Sequence, residues 1–146
     1  MADIDPDGWY PLQDVLNVMN DMQAAGPAMF NFVAIGMTAA ELSPITPEME
    51  QLSFEEFMFV YRDVYQMRHR NGDPGSFEPE KLDSNHLVIK LDIPYPDDLF
   101  YGLIYGFARR FATADMLFNV AYDANAQRKD LGGDITLVHV TWEYQG

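Results

Sequence analysis

The chain has 146 residues, of which 48% are hydrophobic and 14% aromatic, so it can bury a sizeable core and is not a disordered tail. It contains no cysteine, which excludes disulfides, thiolate metal sites and thiol catalysis. A formal net charge of -14 argues against nucleic-acid backbones and anionic membranes as partners, because both attract basic surfaces.

The N-terminal segment is acidic where a secretory signal would be basic, and no apolar run approaches the ~20 residues that span a bilayer. We therefore predict a single cytoplasmic domain, residues 1–146, with no membrane insertion. Asp3, Asp5 and Asp7 have the spacing of a calcium loop, but the distal bidentate glutamate of such a loop is missing.

Three helices are predicted in the first half of the chain. Residues 10–25 place Leu12, Val15, Leu16, Met19 and Met22 on one apolar stripe, and residues 28–42 carry apolar side chains around most of the circumference. A third helix starts at Ser53 with a capping box that ends at Glu56, and it closes before the turn-forming segment 71–76.

Strand patterns appear in the second half. Residues 85–93 alternate between apolar and polar side chains, a helix runs from the proline at position 96 to residue 111, and strands follow at 116–123 and 135–144. The predicted order is α-α-α-β-α-β-β. The predicted fold class is α+β, with the N-terminal helices packed on one face of a small antiparallel sheet.

Residues 85–144 also carry an ordered set of motifs. These are a Tyr95-Pro96 dipeptide, Leu99-x-x-Gly102-x-x-x-Gly106 on a helix, Leu131-Gly132-Gly133-Asp134, and a final Val140-x-Trp142. This set resembles the superfamily of vinyl-reductase-like domains, which includes heme-nitric-oxide-binding domains and core subunits of the transport protein particle TRAPP. The resemblance implies a ligand pocket and a dimer.

Heme-binding members of that superfamily are similar in using an axial histidine on a helix and a Tyr-x-Ser-x-Arg signature for the propionates. This chain has no Tyr-x-Ser-x-Arg, and Tyr101-Gly102-Leu103-Ile104-Tyr105 is not that motif. We therefore predict no cofactor, and heme is not expected.

Histidines and aspartates are the obvious candidates for chemistry, but none forms a recognisable centre. His86 and His139 lie on predicted strands and could meet across the sheet as metal or heme ligands, yet no third ligand stands at a recognisable spacing. Asp97 and Asp98 stand at a helix start, where exposed amides and the helix dipole favour carboxylates. We predict no catalytic residue and no metal site.

The strongest remaining signal is the supply of adaptable apolar side chains, which includes nine methionines, ten phenylalanines and eight tyrosines. They predict a pocket between helices and sheet, and Arg109 would pair with an anionic group if the ligand has one. The candidate ligand-binding residues are Met37, Phe57, Tyr61, Tyr101, Tyr105, Arg109 and Trp142. A methionine-rich core or a subunit interface would use the same side chains.

The sequence thus predicts a non-enzymatic sensory or regulatory module that binds a small apolar or aromatic ligand, forms a homodimer and acts on a signalling protein. One alternative is a scaffold or assembly subunit that acts through dimerisation. A second alternative is a heme or tetrapyrrole sensor.

Overall fold

The computed structural model describes residues 8–145 and divides the chain into two compact units, Met1–Asn31 and Phe32–Gly146. The first unit contains helix α1, Leu12–Ala24, which starts after Pro11. The aspartates at positions 3, 5 and 7 lie outside the described residues. The prediction of one domain over residues 1–146 stays a prediction.

The second unit contains four helices and four strands. The helices are α2 (Phe32–Leu42), α3 (Pro47–Glu50), α4 (Phe54–Met67) and α5 (Asp97–Phe111). The strands are β1 (Ser76–Asp83), β2 (His86–Asp92), β3 (Met116–Tyr122) and β4 (Thr136–Tyr144), and a 3-10 turn at Lys129–Leu131 precedes β4. Every strand pairing is antiparallel, and the sheet order is β1-β2-β4-β3. The predicted α+β class is confirmed.

Two elements were missing from the predicted order, the short helix α3 and strand β1. Strand β1 has the sequence SFEPEKLD, in which a proline and four charged residues hide the strand signal. The edge of a sheet tolerates both features, because an edge strand leaves one row of backbone groups unpaired. Only Phe77 and Pro79 of this strand are buried.

One hydrophobic core lies between the sheet, α4 and α5, and we call the sheet face toward these helices the inner face. The predicted alternation is confirmed in β2, and β4 alternates in the same way. The inward residues of both strands are buried, and the outer face carries polar residues together with the apolar Val88 and Leu137. The buried inward residues of these two strands are Leu87, Ile89, Leu91, Thr136, Val138, Val140 and Trp142. The apolar faces of α4 and α5 supply about half of the core residues.

Helices α2 and α5 pack in direct backbone contact. A Cβ added to Gly102 would overlap the carbonyl oxygen of Val33, and one added to Gly106 would lie 2.6 Å from the Cβ of Ala40. Gly36 on α2 makes the reciprocal approach, because its added Cβ would lie 2.7 Å from the backbone nitrogen of Leu103. The two glycines of α5 therefore serve helix packing.

The two sequence-based capping predictions have different outcomes. Ser53 and Glu56 form the expected capping box at α4, with bonds of 3.0 and 3.1 Å between each side chain and the other's backbone N–H. Asp97 does not cap α5 with its side chain, since Pro96 holds the cap position and makes no side-chain cap bond. The Asp97 side chain is buried and turned toward β4 instead.

Within residues 8–145, no helix is long and apolar enough to cross a membrane.

Candidate functional site

The predicted ligand residues lie in several places. Phe57 and Tyr61 project from α4 into the core, and each packs against Phe107 of α5, with ring centroids 4.8 and 5.2 Å away. Tyr101 and Tyr105 lie on the flank of α5 that faces β3. The Tyr101 hydroxyl donates to the Val120 carbonyl at 2.6 Å, so it is already used in the fold.

The other three predicted residues lie apart from both pairs, Phe57 with Tyr61 and Tyr101 with Tyr105. Trp142 packs edge-on against Phe54 at the start of α4, with ring centroids 6.1 Å apart. Met37 lies on α2, where its backbone adjoins Gly106. Arg109 is exposed, and its guanidinium lies 3.9 Å from a carboxylate oxygen of Glu41.

A polar cluster at the C-terminal half of α4 is the best candidate site in the described chain. Tyr61, Tyr65 and His69 follow one another at four-residue intervals, which places them on one side of the helix and just beyond its end. Tyr95, from the turn between β2 and α5, closes the group. Its ring centroid lies 5.7 Å from that of His69 and 6.2 Å from that of Tyr65. We call these four residues the tyrosine–histidine cluster.

Tyr61 is buried, and its hydroxyl makes no hydrogen bond to any residue that the structure describes. The residue as a whole is 5% exposed. Burial raises the pKa of Tyr61 to about 12. A hydroxyl fully removed from water without a partner costs roughly 1–3 kcal/mol, and a nearly buried one costs part of that. This group is therefore a natural place for a ligand atom.

His69 has a tautomer fixed by its neighbours. Its Nδ1 lies 2.7 Å from the Tyr65 carbonyl oxygen, and its Nε2 lies 2.6 Å from the Tyr95 hydroxyl. A carbonyl can only accept, so Nδ1 carries the proton and donates, and the neutral ring presents a lone pair at Nε2 to the Tyr95 hydroxyl. Histidines that bind metals are oriented in this way, with one nitrogen donating to the protein.

The rest of the cluster is held by burial and by one strong bond. The Tyr65 hydroxyl donates to the Pro74 carbonyl at 2.6 Å, which joins α4 to the segment before β1. Burial raises the pKa of Tyr65 and of Tyr95, so both phenols stay protonated. Arg68 is the nearby cation, and its charge lowers the pKa of Tyr61 against the larger effect of burial.

Sequence reasoning identified Tyr61 but missed Tyr65, His69 and Tyr95. The spacing of Tyr61, Tyr65 and His69 was a usable signal, since residues four apart share one side of a helix. Tyr95 had no such signal, because only the fold brings a turn 26 positions away to the His69 ring.

A second buried polar network joins the start of α5 to the 3-10 turn. The carboxylate of Asp97, 2% exposed, accepts from the Thr136 hydroxyl at 2.7 Å and from the Asp130 backbone N–H at 3.0 Å. Asp130 returns the contact, because its carboxylate accepts from the Asp97 backbone N–H at 2.9 Å. These reciprocal bonds fix the 3-10 turn against the helix start.

Arg128 supplies the positive charge of this network. Its guanidinium stacks over the Tyr122 ring at 4.2 Å and pairs with Asp98 at 3.3 Å. Its Nε lies 3.9 Å from the Asp97 carboxylate, too far for a hydrogen bond, and it is the one fully buried side-chain polar atom of the described residues without a partner. The Asp97 charge is close enough to offset part of that cost, so we assign Arg128 a structural role.

The outer face of the sheet brings the two strand histidines together as the sequence suggested. Nε2 of His86 lies 2.7 Å from Nδ1 of His139, whose Nε2 lies 2.7 Å from a carboxylate oxygen of Asp123. No group of three or more residues suited to holding a metal ion occurs in the described part of the chain.

A shallow groove of about 430 Å³ lies at the β3–β4 end of the sheet. Its lining includes Leu117, Asn119, Thr141 and Glu143, which the strand alternation places on the outer face. Phe118 and Trp142 complete the lining, so one predicted ligand-binding residue, Trp142, borders this groove.

No protein-family model and no curated protein sequence matches this chain. Solved structures do match it. An H-NOX protein from S. oneidensis in the Fe(II)NO ligation state superposes with a TM-score of 0.66 and 14% identity, over 99% of this chain and 82% of that one. H-NOX from Shewanella woodyi, bound to IWP-051 in the Fe(II)CO state, superposes with a TM-score of 0.60 and 19% identity, over 94% of this chain and 75% of that one. A point mutant of T. tengcongensis H-NOX superposes with a TM-score of 0.57 and 12% identity, over 100% of this chain and 77% of that one.

The chain therefore has the fold of the heme-nitric-oxide-binding domains, and the resemblance suggested by its last sixty or so residues is confirmed for the fold. This finding also corrects one expectation. The absence of Tyr-x-Ser-x-Arg led us not to expect heme, and that prediction is wrong, because the similar structures are H-NOX proteins described in iron-ligated states. A single signature was too narrow a criterion for a fold retained at such low identity.

Proposed function

We propose that this chain is a non-enzymatic sensory domain that binds a largely apolar, aromatic ligand at the tyrosine–histidine cluster, with heme as the first candidate. The observation that carries the proposal is the nearly buried Tyr61 hydroxyl, which has no hydrogen-bond partner among residues 8–145. Its cost, at most roughly 1–3 kcal/mol, is removed when a ligand atom bonds to it. The H-NOX fold is the independent support.

The donor set of the cluster is compatible with an iron porphyrin. His69 has a neutral ring whose Nδ1 donates to the Tyr65 carbonyl, so its Nε2 lone pair would serve an iron in exchange for the Tyr95 hydroxyl. The phenol of Tyr61 would be a second protein group able to hold the iron, since tyrosine also binds heme iron. Bound heme would supply a metal centre for a small diatomic molecule.

Charge and shape around the cluster suit the same ligand. Arg68 follows α4 and is exposed, so its guanidinium can pair with a carboxylate at the ligand's edge. The rings of Phe57, Phe77 and Phe107 surround Tyr61 at centroid distances of 5.0 to 6.2 Å and would offer apolar contact. A ligand would enter by moving these side chains, because the rings now touch.

Binding at this place would be transmitted by helix α4. Tyr65 links α4 to the segment before β1, and α4 also packs on α5 through Phe57 and Phe107. A ligand that binds one arrangement of α4 more tightly shifts the population toward it. The altered surface would then change contact with a signalling protein.

The test is a heme titration of the purified protein followed by the Soret absorption band. Wild type is expected to give a stoichiometric shifted Soret band. Tyr61→Phe and His69→Gln are expected to weaken heme binding about tenfold or more, which corresponds to losing one ligand or hydrogen bond worth ~1.4 kcal/mol.

Tyr144→Phe and His86→Gln are the matched controls, because both residues are remote from the cluster in the sheet, and they should bind heme like wild type. No Soret shift with wild type would contradict heme as the ligand. Native mass spectrometry beside denaturing extraction then shows whether another aromatic molecule co-purifies. Equal binding by all four variants would contradict the proposed site.

A second candidate function, a scaffold acting through dimerisation, is favoured by strand β3. It stands at the edge of the sheet, and Leu117 on it is 49% exposed. Open sheet edges with apolar side chains promote pairing with another chain. A Leu117→Lys variant that turns a dimer into a monomer on native mass spectrometry would support this function, and a wild-type monomer would exclude it.

A further inference from the structure

Three side chains on the outer face of the sheet form a continuous hydrogen-bonded chain. Asp123 at the end of β3, His139 on β4 and His86 on β2 are joined by two contacts of 2.7 Å each. The strand register accounts for this, since His86 lies opposite Thr141 and His139 lies opposite Val88, which makes the two rings diagonal neighbours on one face. We call these three residues the histidine relay.

The chemistry of the first member determines the proton positions in the others. The carboxylate of Asp123 can only accept, so Nε2 of His139 must carry a hydrogen and donate to it. A neutral His139 then has a lone pair at Nδ1, which requires Nε2 of His86 to donate. Nδ1 of His86 is left as a lone pair that no described residue of the chain contacts by hydrogen bonding.

We propose that the histidine relay is a proton-binding site that takes up one proton at Nδ1 of His86 and passes the positive charge to His139. The incoming proton forms the Nδ1–H bond of His86, and the Nε2 proton of His86 moves to Nδ1 of His139. His86 is then neutral again. His139 becomes an imidazolium held directly against the Asp123 carboxylate, so charge and atoms balance with no other reactant.

The charged groups around the relay support uptake of a proton. Asp83 of β1 lies opposite His86 in the strand register, and Glu80 of β1 lies opposite Val88, the residue that pairs with His139. Glu143 extends from β4. Lys90 of β2 is the cation near the relay on these described strands, and it is paired with Glu80. Acidic groups therefore outnumber basic ones, which favours a cation there.

The consequence of protonation would reach the loop after β3. The Asp123 carboxylate also accepts from the backbone N–H groups of Asn125 and Ala126, at 2.8 and 2.9 Å. Bonds from His139 and from these two amides lower the pKa of Asp123. A charged His139 holds Asp123 more tightly than a neutral one, since charge-assisted hydrogen bonds are about twice as strong. Proton uptake thus strengthens the anchor of the loop after β3. This loop contains Asp130, which is hydrogen-bonded to the start of α5.

The experiment is long-range ¹H–¹⁵N NMR of the histidine rings of the full chain across pH 5 to 9. Imidazole side chains ordinarily gain their proton in this range. At high pH, both His86 and His139 are expected as Nε2–H tautomers. On acidification, both rings should change together in one step, and the amides of Asn125 and Ala126 should become more protected from exchange.

Asp123→Asn keeps the shape and an acceptor but removes the charge, so the shared step should move to lower pH by about one unit or more. Asp134→Asn is the matched control, an exposed aspartate in the same loop region, and it should leave the step unchanged. An Nδ1–H tautomer of His86 in wild type overturns the proposal. Separate protonation steps for the two rings in wild type also overturn it. Both of these results come from the wild-type protein, so they do not depend on whether a variant folds.

Discussion

Gly36 and Gly102 bring the backbones of α2 and α5 into direct contact, because a Cβ on Gly36 would lie 3.0 Å from the carbonyl carbon of Gly102. Interior glycines cost a helix up to ~1 kcal/mol each relative to alanine. The contact explains why the sequence tolerates this cost at α5. It also separates α5 into a side that packs on α2, an inner side that fills the core, and a flank carrying Tyr101 and Tyr105.

Gly102→Ala should lower the free energy of unfolding by about 1–3 kcal/mol, since the added methyl overlaps the Val33 carbonyl and backbone cannot move aside cheaply. Urea unfolding measures this. Gly72→Ala is the control, because nothing lies within 4 Å of an added Cβ there. It should be neutral or stabilising by about 0.4–1 kcal/mol. A Gly102→Ala protein as stable as wild type would contradict the close packing.

Tyr61→Phe and Tyr65→Phe remove the same atom from two neighbouring turns of α4, with opposite expected results. Tyr61→Phe removes a hydroxyl with no described partner, so the ligand-free protein should be as stable as wild type or up to about 1 kcal/mol more stable. Tyr65→Phe breaks the 2.6 Å bond to Pro74 and should cost about 0.5–1.5 kcal/mol. Thermal unfolding without ligand compares them. Equal destabilisation would mean that the Tyr61 hydroxyl has a partner in the fold.

Asp97→Asn should destabilise the fold by about 1–3 kcal/mol. The Asp97 carboxylate accepts from the Thr136 hydroxyl and from the Asp130 backbone N–H. The side-chain amide of asparagine would point its NH2 group at one of these two donors, and that hydrogen bond would be lost. Asp98→Asn is the matched comparison, since the Asp98 side chain is 50% exposed and its loss should cost about 1 kcal/mol or less. Chemical denaturation of the two variants tests the ranking, and the reverse order would refute the role of Asp97.

Asp130 should make stability fall as pH rises. Burial of its carboxyl group, with a further contribution from the charge of Asp97, raises the pKa of Asp130 above the ordinary value. The folded protein therefore holds this proton more tightly than the unfolded chain, and the contribution is lost as pH rises through the raised pKa. Asp130 as a whole is exposed, and the hydrogen bond from the Asp97 backbone N–H lowers its pKa against the effect of burial, so the slope should be small.

Unfolding free energies of wild type and Asp130→Asn, measured from pH 3 to 7, test this effect. The variant should lose the downward component of the slope, while the exposed Asp134→Asn should follow wild type. Identical slopes in all three proteins would show that the Asp130 pKa is ordinary.

The local pattern of the sequence was sufficient for most elements of the fold. Ser53 and Glu56 predicted α4 because a capping box is satisfied within four residues. The alternation from Leu87 to Leu91 predicted β2, since a two-residue period needs only one buried face. Strand β1 was not predicted because its own residues carry no strand pattern, and it is a strand because it pairs with β2.

The site was less predictable, since it depends on contacts between distant segments. The sequence by itself identified Tyr61 as apolar-facing on its helix and indicated that His86 and His139 could meet. Only the tertiary structure decided that the Tyr61 hydroxyl has no partner among residues 8–145, that Tyr95 reaches His69, and that Asp123 completes the histidine relay. Periodicity reports which side of an element is buried, whereas hydrogen-bond partners across 16 to 53 positions exist only once the chain has folded.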